Sequence, residues 1–254
     1  MISEITSRTN PRVKDLASRV KELFVFEGEK LVMDLVARGE EIELLLVHER
    51  LRDRVQDARA ADVWVTRRGV LDKISRLKDA PDLIAVLPSP ERPLPLETAR
   101  AVVVLDGLQD PANAGTVFRC AAAFGIDGII LTGDGVKPWN HRFIRAAQTA
   151  VLDVPWRLEK SLEGLLALPG IAGFNVYMTA AAPEGEAKCM EIEHPCLVVV
   201  GNEGHGIAKP FLQEYPVLSI PQSGRVESLN AGVSACILMY EMQRLRQAAA
   251  GEEA

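Results

Sequence analysis

Short apolar runs that alternate with helical stretches fill residues 99–254, and they constrain the fold more than any other feature of the sequence. The runs are "AVVVLDG", "GIILTG", "FNVYMTA", "CLVVVG" and "PVLSIP". Between them lie "AGTVFRCAAAFG", "NHRFIRAAQTAV" and "SLNAGVSACILMYEMQRLRQ", whose patterns are typical of helices. Apolar runs without polar alternation predict strands that are buried on both faces. We therefore expect an α/β fold with a parallel sheet covered by helices.

A proline-rich stretch, "LPSPERPLPLETAR", precedes this region. Proline at this density favours an extended connector over a helix or a central strand. We therefore divide the chain into residues 1–87, a linker at 88–98, and residues 99–254. The first segment combines helix-like "NPRVKDLASRV" and "GEKLVMDLVARG" with strand-like "IELLLVH", "DVWVT" and "DLIAVLP". This mixture predicts a second, smaller α/β domain.

Composition excludes several classes of protein. Apolar residues make up 48% of the chain, which is too many for a disordered protein. No apolar run is long enough for a membrane-spanning helix, and "MISEITSRTNPRVKD" lacks the apolar core of a signal peptide, so we expect a cytoplasmic protein. The net charge of −6 argues against a protein that coats nucleic acid. Histidines and cysteines show no metal-ligand spacing, so no metal site is expected, and Cys120, Cys189, Cys196 and Cys236 are interpreted as reduced, structural thiols.

Polar residues cluster after three of the predicted strands, where parallel α/β sheets bind their ligands. The first cluster lies in "LDGLQDPANAGTVFRC". Asn113 has the position either of a helix N-cap or of a crevice residue. Arg119 follows about one and a half turns later. Because its neighbours are apolar, we expect a buried guanidinium there, which requires an anionic partner such as a phosphate.

The second cluster is the loop "GNEGHG". Gly201, Gly204 and Gly206 reverse the spacing of the dinucleotide fingerprint G-x-G-x-x-G, and Glu203 would repel a pyrophosphate. The pattern favours a nucleoside ligand without phosphate and with positive charge. The alternative is a glycine turn that serves backbone geometry alone.

The third cluster is "SIPQSGRVESLNAGVSACI". Ser228 has the position of an N-cap for the last helix, whereas Asn230, inside the first turn of the predicted helix, is less well explained by capping. The small residues that follow, Ala231, Gly232, Ser234 and Ala235, allow another helix to pack closely.

Together, "NAGTVFR", "GNEGHG" and "IPQSGRVESLNAGVSACILMYE" resemble, in order, the three motifs of the SpoU (TrmH-like) RNA ribose 2′-O-methyltransferases of the SPOUT superfamily. The N-terminal stretch from "ITSRTNPRVKDL" to "FVFEGEKLVMDLV" is similar to that family's substrate-binding domain. The resemblance implies an L30e-like RNA-binding domain at 1–87 and a trefoil-knotted parallel-sheet SPOUT methyltransferase domain at 99–254.

The resemblance also implies S-adenosylmethionine as cofactor, which has a cationic sulfonium and no phosphate. Main-chain groups of the second and third motifs hold it in the family; the matching positions and their neighbours are Gly201, Asn202, Gly204, Ile220, Gln222 and Leu229. The implied catalytic set is Asn113, Arg119, Glu203, Ser228 and Asn230, with Arg119 as the arginine that helps activate the ribose hydroxyl. Family members are typically homodimers, and the N-terminal domain favours ribosomal RNA over transfer RNA as substrate.

Two stretches depart from the family pattern: "RAAQTAV" replaces "R-A-S-x-G-A", and "SLNAGVS" replaces "SLNVSVA". They leave Arg119, Glu203 and Asn230 in place, so activity is still expected. The alternatives are a transfer RNA methyltransferase, a resistance enzyme acting on ribosomal RNA, and an RNA-binding homologue without catalysis. A nicotinamide oxidoreductase fits the strand–helix alternation but lacks the fingerprint.

Overall fold

A computed structural model describes residues 1–89, 93–181 and 191–252, with side chains as far as residue 248. The chain forms two compact units, Met1–Pro90 with Lys137–Thr149, and Glu91–Val136 with Ala150–Ala254. Lys137–Thr149, which the sequence pattern placed in the second segment, packs with the first unit. Cys189 and the linker residues 90–92 lie outside the described residues.

The first unit is built on a mixed sheet whose described strands run in the order β1-β4-β3-β5-β2. Strand β4 is parallel to β1 and β3, whereas β5 is antiparallel to β3 and β2. The strands are β1 (Ile2–Glu4), β2 (Phe24–Glu27), β3 (Ile42–His48), β4 (Ala60–Thr66) and β5 (Leu83–Leu87). The helices are α1 (Pro11–Arg19), α2 (Glu29–Ala37), α3 (Arg68–Ile74) and, from the later segment, α5 (His141–Ala147).

Helix α5 packs on β2 within this unit. Trp139, just before the helix, makes an edge-to-face contact with Phe24, with ring centroids 6.4 Å apart. Asn140 caps α5 by accepting hydrogen bonds from the Arg142 and Phe143 amides.

Gln148 ends α5 in a backbone conformation that favours glycine. Its φ is 57° and its ψ is −134°, and it is the one non-glycine residue with positive φ among those the structure describes. A side chain there costs about 1–3 kcal/mol. We therefore expect Gln148→Gly to raise the free energy of unfolding in urea by about 1 kcal/mol. Gln148→Ala serves as the control, since it keeps the Cβ; an equal gain with alanine would contradict the strain argument.

The second unit contains a sheet in which every described pairing is parallel, in the order β11-β9-β10-β6-β7-β8. The strands are β6 (Ala101–Asp106), β7 (Gly128–Thr132), β8 (Trp156–Glu159), β9 (Asn175–Thr179), β10 (Cys196–Val200) and β11 (Val217–Leu218). The helices are α4 (Pro111–Phe124), α6 (Ala150–Asp153), α7 (Leu162–Leu166), α8 (Lys209–Glu214) and α9 (Ala231–Glu252). The predicted parallel α/β fold is confirmed; the knot stays a prediction.

The strand order places a ligand crevice beside β10 and β6. From β6 the chain continues through α4 to β7 on one side, whereas from β10 it continues through α8 to β11 on the other. Ligands of open α/β sheets bind at the carboxyl ends of the strands where such connections diverge.

The end of the proline-rich stretch belongs to the core of this unit. Leu94 and Leu96 are buried with Val102 and Ile130. A Cβ on Gly128 would lie 2.2 Å from a methyl of Leu94, so any larger residue there would require the Leu94 side chain to move.

Candidate functional site

A cleft of about 590 Å³ opens at the carboxyl ends of β9, β10 and β11. Three loops form it: the end of β9, the glycine loop after β10, and the segment between β11 and α9. Its lining residues are Thr179, Ala180, Ala181, Val200, Gly201, Asn202, Glu203, His205, Gly206, Ile207, Leu212, Leu218, Ile220, Gln222, Ser228, Leu229, Asn230, Ala231 and Ser234. Two of the three clusters predicted from the sequence therefore meet in one cavity.

The glycine loop folds back tightly on itself. A Cβ on Gly201 would lie 2.6 Å from the carbonyl carbon of Gly206 and 2.7 Å from the amide nitrogen of Ile207, distances that no real Cβ adopts. Gly206 has a φ of 64°, in the left-handed region that favours glycine. Gly201 is therefore required by the close approach of the backbone, and Gly206 is favoured by its backbone conformation.

Asn202 fastens this loop to the neighbouring strand. Its Nδ2 donates to the carbonyl of Gly107, at the end of β6, over 2.7 Å. Its Oδ1 accepts from the amide of Gly204 at 2.7 Å, closing a local turn. Asn202 thus joins β10 to β6, and Gly204 contributes its amide to the turn.

Helix α9 begins later than expected, and Asn230 caps it. The Oδ1 of Asn230 accepts from the amide of Val233 at 3.1 Å, and its carbonyl accepts from Ser234 at 2.9 Å. The interpretation of Ser228 as the N-cap is therefore wrong. Ser228 lies before the helix and is exposed at the cleft, because the chain between Pro221 and Leu229 has no regular structure.

Asn113 lies in the first turn of α4, and Asp110 is the N-cap. The Oδ1 of Asp110 accepts from the amide of Ala112 at 2.8 Å, so the N-cap interpretation of Asn113 is wrong. The Asn113 side chain, which does not cap the helix, instead donates from Nδ2 to Oε1 of Glu203 over 3.0 Å. This hydrogen bond connects α4 to the glycine loop.

Gly232 brings α9 against the same point of α4. A Cβ at Gly232 would lie 3.1 Å from the Cβ of Asn113 and 3.2 Å from Oδ1 of Asn230. The small residue therefore allows the close helix packing that the sequence predicted. As a result Asn113, Glu203 and Asn230 converge, although 117 positions separate Asn113 from Asn230 in the chain (230 − 113).

Arg119 lies elsewhere. It is on the exposed face of α4 and does not line the cleft, so the expectation of a buried guanidinium is wrong. Thr116 and Ala123 are exposed on the same face, which shows that the alanines around Arg119 are compatible with a solvated surface. Within the described residues, Arg119 has no ion-pair or hydrogen-bond partner for its guanidinium. It is available to an external anion.

Two further findings concern the described residues alone. Among them, no group of three or more His, Cys, Asp or Glu side chains could hold a metal ion. No described helix has the length and apolarity to cross a membrane.

Cys196 is buried in β10, and burial raises the pKa of its thiol to about 12, as expected of a structural cysteine.

This chain is similar in sequence and in structure to several known proteins. Residues 100–240 match the family model described as the SpoU rRNA Methylase family. An uncharacterized tRNA/rRNA methyltransferase of Synechocystis is 30% identical over 98% of this chain and 96% of its own length. The 23S rRNA (guanosine(2553)-2′-O)-methyltransferase RlmP of Bacillus subtilis is 29% identical over 95% of this chain and all of its own. The crystal structure of an AdoMet-bound rRNA methyltransferase from Sinorhizobium meliloti aligns with a TM-score of 0.80 at 29% identity, covering 96% of this chain and 98% of that one.

Proposed function

The chain belongs to the SpoU rRNA methylase family, and from that premise we propose that it transfers a methyl group from S-adenosylmethionine to a ribose 2′-hydroxyl of RNA. The observation that carries the proposal is the cleft at the ends of β9, β10 and β11, which gathers the glycine loop and the loop before α9.

The cleft suits a cationic nucleoside. None of its described lining residues is Lys or Arg, and Glu203 contributes a carboxylate. A pyrophosphate would therefore be repelled by Glu203 and would have no lysine or arginine to neutralise its charge. The volume is within the range of small-molecule sites. Oε1 of Gln222 is buried without a hydrogen-bond partner in the described structure, which leaves one acceptor for an N–H group of the ligand.

In the proposed complex, the main chain at Gly201, Ile220 and Leu229 holds the cofactor, with Asn202, Gly204 and Gln222 beside them. When bound, S-adenosylmethionine supplies a methyl group activated by a positively charged sulfur. Asn202 keeps the loop in shape through Gly107 and Gly204. Asn113 holds Glu203 at the cleft, and Asn230 and Ser228 border the same opening.

Arg119 has a different role in this proposal. A guanidinium stays protonated in proteins, so it does not act as the base. Arg119 binds the phosphate next to the target ribose, which orients the 2′-hydroxyl and stabilises the negative charge that develops on its oxygen. Its lack of a partner among the described residues supports this role. The proton of the 2′-hydroxyl passes to solvent, and the transfer then depends mainly on positioning.

The substrate proposed is ribosomal RNA in the cytoplasm, bound in part by residues 1–87 as an L30e-like domain. Support comes from the Bacillus subtilis relative, whose name assigns it to 23S ribosomal RNA and which aligns along nearly the whole of this chain. Transfer RNA is the alternative substrate.

Calorimetry tests the cofactor assignment. We expect S-adenosylmethionine to bind and NADH, which carries a pyrophosphate, not to bind at comparable concentration. Tight NADH binding would overturn the assignment. Cofactor binding without methyl transfer to either ribosomal or transfer RNA would favour the non-catalytic homologue.

We also propose a homodimer that buries one face of α9. Val233 and Tyr240 are two helical turns apart on that face and are 47% and 52% exposed, so together they present apolar surface to a partner. We expect Val233→Glu to convert the dimer to a monomer in analytical ultracentrifugation. Leu158→Glu, which alters a 38% exposed leucine on β8, should leave the dimer intact. A wild-type monomer at micromolar concentration would contradict the proposal.

A further inference from the structure

The first unit holds a pocket of about 210 Å³, smaller than the cleft of the second unit, that has no role in the proposed methyl transfer. Strand β2, helices α2 and α5 and the segment after α3 form its walls. Its apolar lining consists of Val25, Leu31, Leu77 and Ile144, and its polar lining of Glu27, His141 and Arg145. Apolar walls with a few convergent polar groups are typical of sites for small organic ligands.

Glu27 is held in a fixed orientation in this pocket. Its carboxylate accepts from the hydroxyl of Ser75, and from the amide of Arg76 at 3.1 Å and 3.3 Å. A carboxylate has about four acceptor positions, so it retains capacity for further donors.

Two buried groups beside Glu27 have no partner in the described structure. They are Nδ1 of His141 and Nη1 of Arg76. Buried polar atoms are nearly always hydrogen-bonded, so each such atom requires an explanation. His141 lines the pocket, so a ligand bound there explains its unpaired Nδ1, whereas Arg76 is not among the lining residues.

Burial and nearby positive charges both disfavour the protonated form of His141. Burial, followed by the nearby charges of Arg76, Arg142 and Arg145, lowers the pKa of His141. Its imidazole is therefore neutral at pH 7, with one donor and one acceptor nitrogen. Burial lowers the pKa of Arg76 as well, with Glu27 opposing that effect.

These groups fit a nucleobase better than a bare phosphate. A phosphate in the pocket would lie beside the Glu27 carboxylate, which repels an anion, and against four apolar side chains, which cannot solvate one. A planar base uses the apolar walls and offers both donors and acceptors. Guanine in particular presents N1–H and N2–H donors on one edge and O6 and N7 acceptors on another.

We propose that this pocket binds an unstacked guanine base of the RNA substrate. The base donates from N1 and N2 to Glu27 and accepts at O6 and N7 from Arg145 and His141. Specific RNA recognition generally uses splayed-out bases in this way. The proposal rests on RNA being the substrate, but it concerns binding in the first unit and not methyl transfer.

The test measures binding of fluorescein-labelled 5′-AAGAA-3′, 5′-AAIAA-3′ and 5′-AAAAA-3′ RNA to the full-length protein by anisotropy. We expect the guanine oligonucleotide to bind at least about 10-fold more tightly than the adenine one, since adenine lacks the N1 and N2 donors that pair with Glu27, and a good bidentate pair contributes that much discrimination. Inosine lacks the N2 amino group and should lie between them. Equal affinities for guanine and adenine would overturn the proposal.

Arg145→Ala is the diagnostic variant, because Arg145 is exposed and its loss should not unfold the protein. We expect it to abolish the guanine preference. Arg19→Ala is the matched control: it removes the same charge from an exposed position in the same unit, outside this pocket. A preference lost equally in both variants would mean a general charge effect and would overturn the proposal.

Nuclear magnetic resonance of the His141 ring, assigned with His141→Ala, separates a base from an anion. Guanosine 5′-monophosphate should shift the His141 signals, whereas inorganic phosphate at the same concentration should not. Equal shifts with phosphate would identify an anion subsite and contradict the base assignment. Calorimetry with S-adenosylmethionine on the same samples keeps the two proposals distinct, since failure of cofactor binding would leave the guanine result unaffected.

Discussion

Gly201→Ala is expected to weaken S-adenosylmethionine binding about 5- to 150-fold, the effect of about 1–3 kcal/mol of forced overpacking. The added methyl would lie 2.6 Å from the carbonyl carbon of Gly206, 2.7 Å from the amide of Ile207 and 2.8 Å from a side-chain carbon of Ile207. Two of these three atoms are backbone, so the loop itself has to move. Since that loop lines the cleft, its movement changes the site directly. Isothermal titration calorimetry measures the loss.

Gly173→Ala is the control for this experiment. A Cβ at Gly173 meets nothing within 4 Å, so the same chemical change there should leave cofactor affinity unaltered. Circular dichroism should show that both variants are folded. Unchanged affinity in the Gly201 variant would mean that the glycine loop does not hold the cofactor.

Arg119→Ala is expected to lower kcat/KM for methyl transfer by about 10²- to 10³-fold, as the loss of a group that stabilises developing charge does. Cofactor affinity should not change, because Arg119 lies outside the cleft. Arg119→Lys should recover only part of the activity, since lysine lacks the planar fork that binds a phosphate through two parallel hydrogen bonds. Initial rates at saturating cofactor, with RNA concentration varied, measure the effect.

Arg100→Ala provides a matched control, because Arg100 is exposed at the opposite end of β6 from the cleft. It should retain full activity. If Arg119→Ala weakened cofactor binding and activity equally, Arg119 would have to be reassigned from the RNA to the cofactor.

The strands of the second unit were predictable because their apolar runs are continuous. Strands β6, β7, β9, β10 and β11 all lie within the predicted runs. Strand β8 was missed because "WRLE" alternates polar and apolar residues at the sheet edge, where Leu158 is 38% exposed. A short edge strand of this kind lacks the signal of a buried one.

Helix caps were harder to predict, because several residues near each helix start have suitable side chains. Asp110 and Asn113 both have capping side chains, as do Ser228 and Asn230, and local sequence does not decide which residue adopts the capping backbone conformation. In both cases the residue that does not cap the helix has another position in the site. Asn113 reaches Glu203, and Ser228 borders the cleft.

The association of Asn113 with Glu203 could not be derived from local patterns, since 90 residues separate them. The resemblance to the family grouped them as candidates, but the contact itself depends on α4, α9 and the glycine loop packing together. The exposure of Arg119 likewise depends on which face of α4 meets α9, a choice that alanine neighbours leave open.

Tritium transfer from labelled S-adenosylmethionine to ribosomal and transfer RNA stripped of native methylation tests the central proposal most directly. We expect label in ribosomal RNA, with an alkali-resistant linkage at the modified nucleotide, because a methylated 2′-oxygen cannot attack the adjacent phosphate. Label confined to an alkali-sensitive site, or found in base fragments after hydrolysis, would contradict ribose methylation.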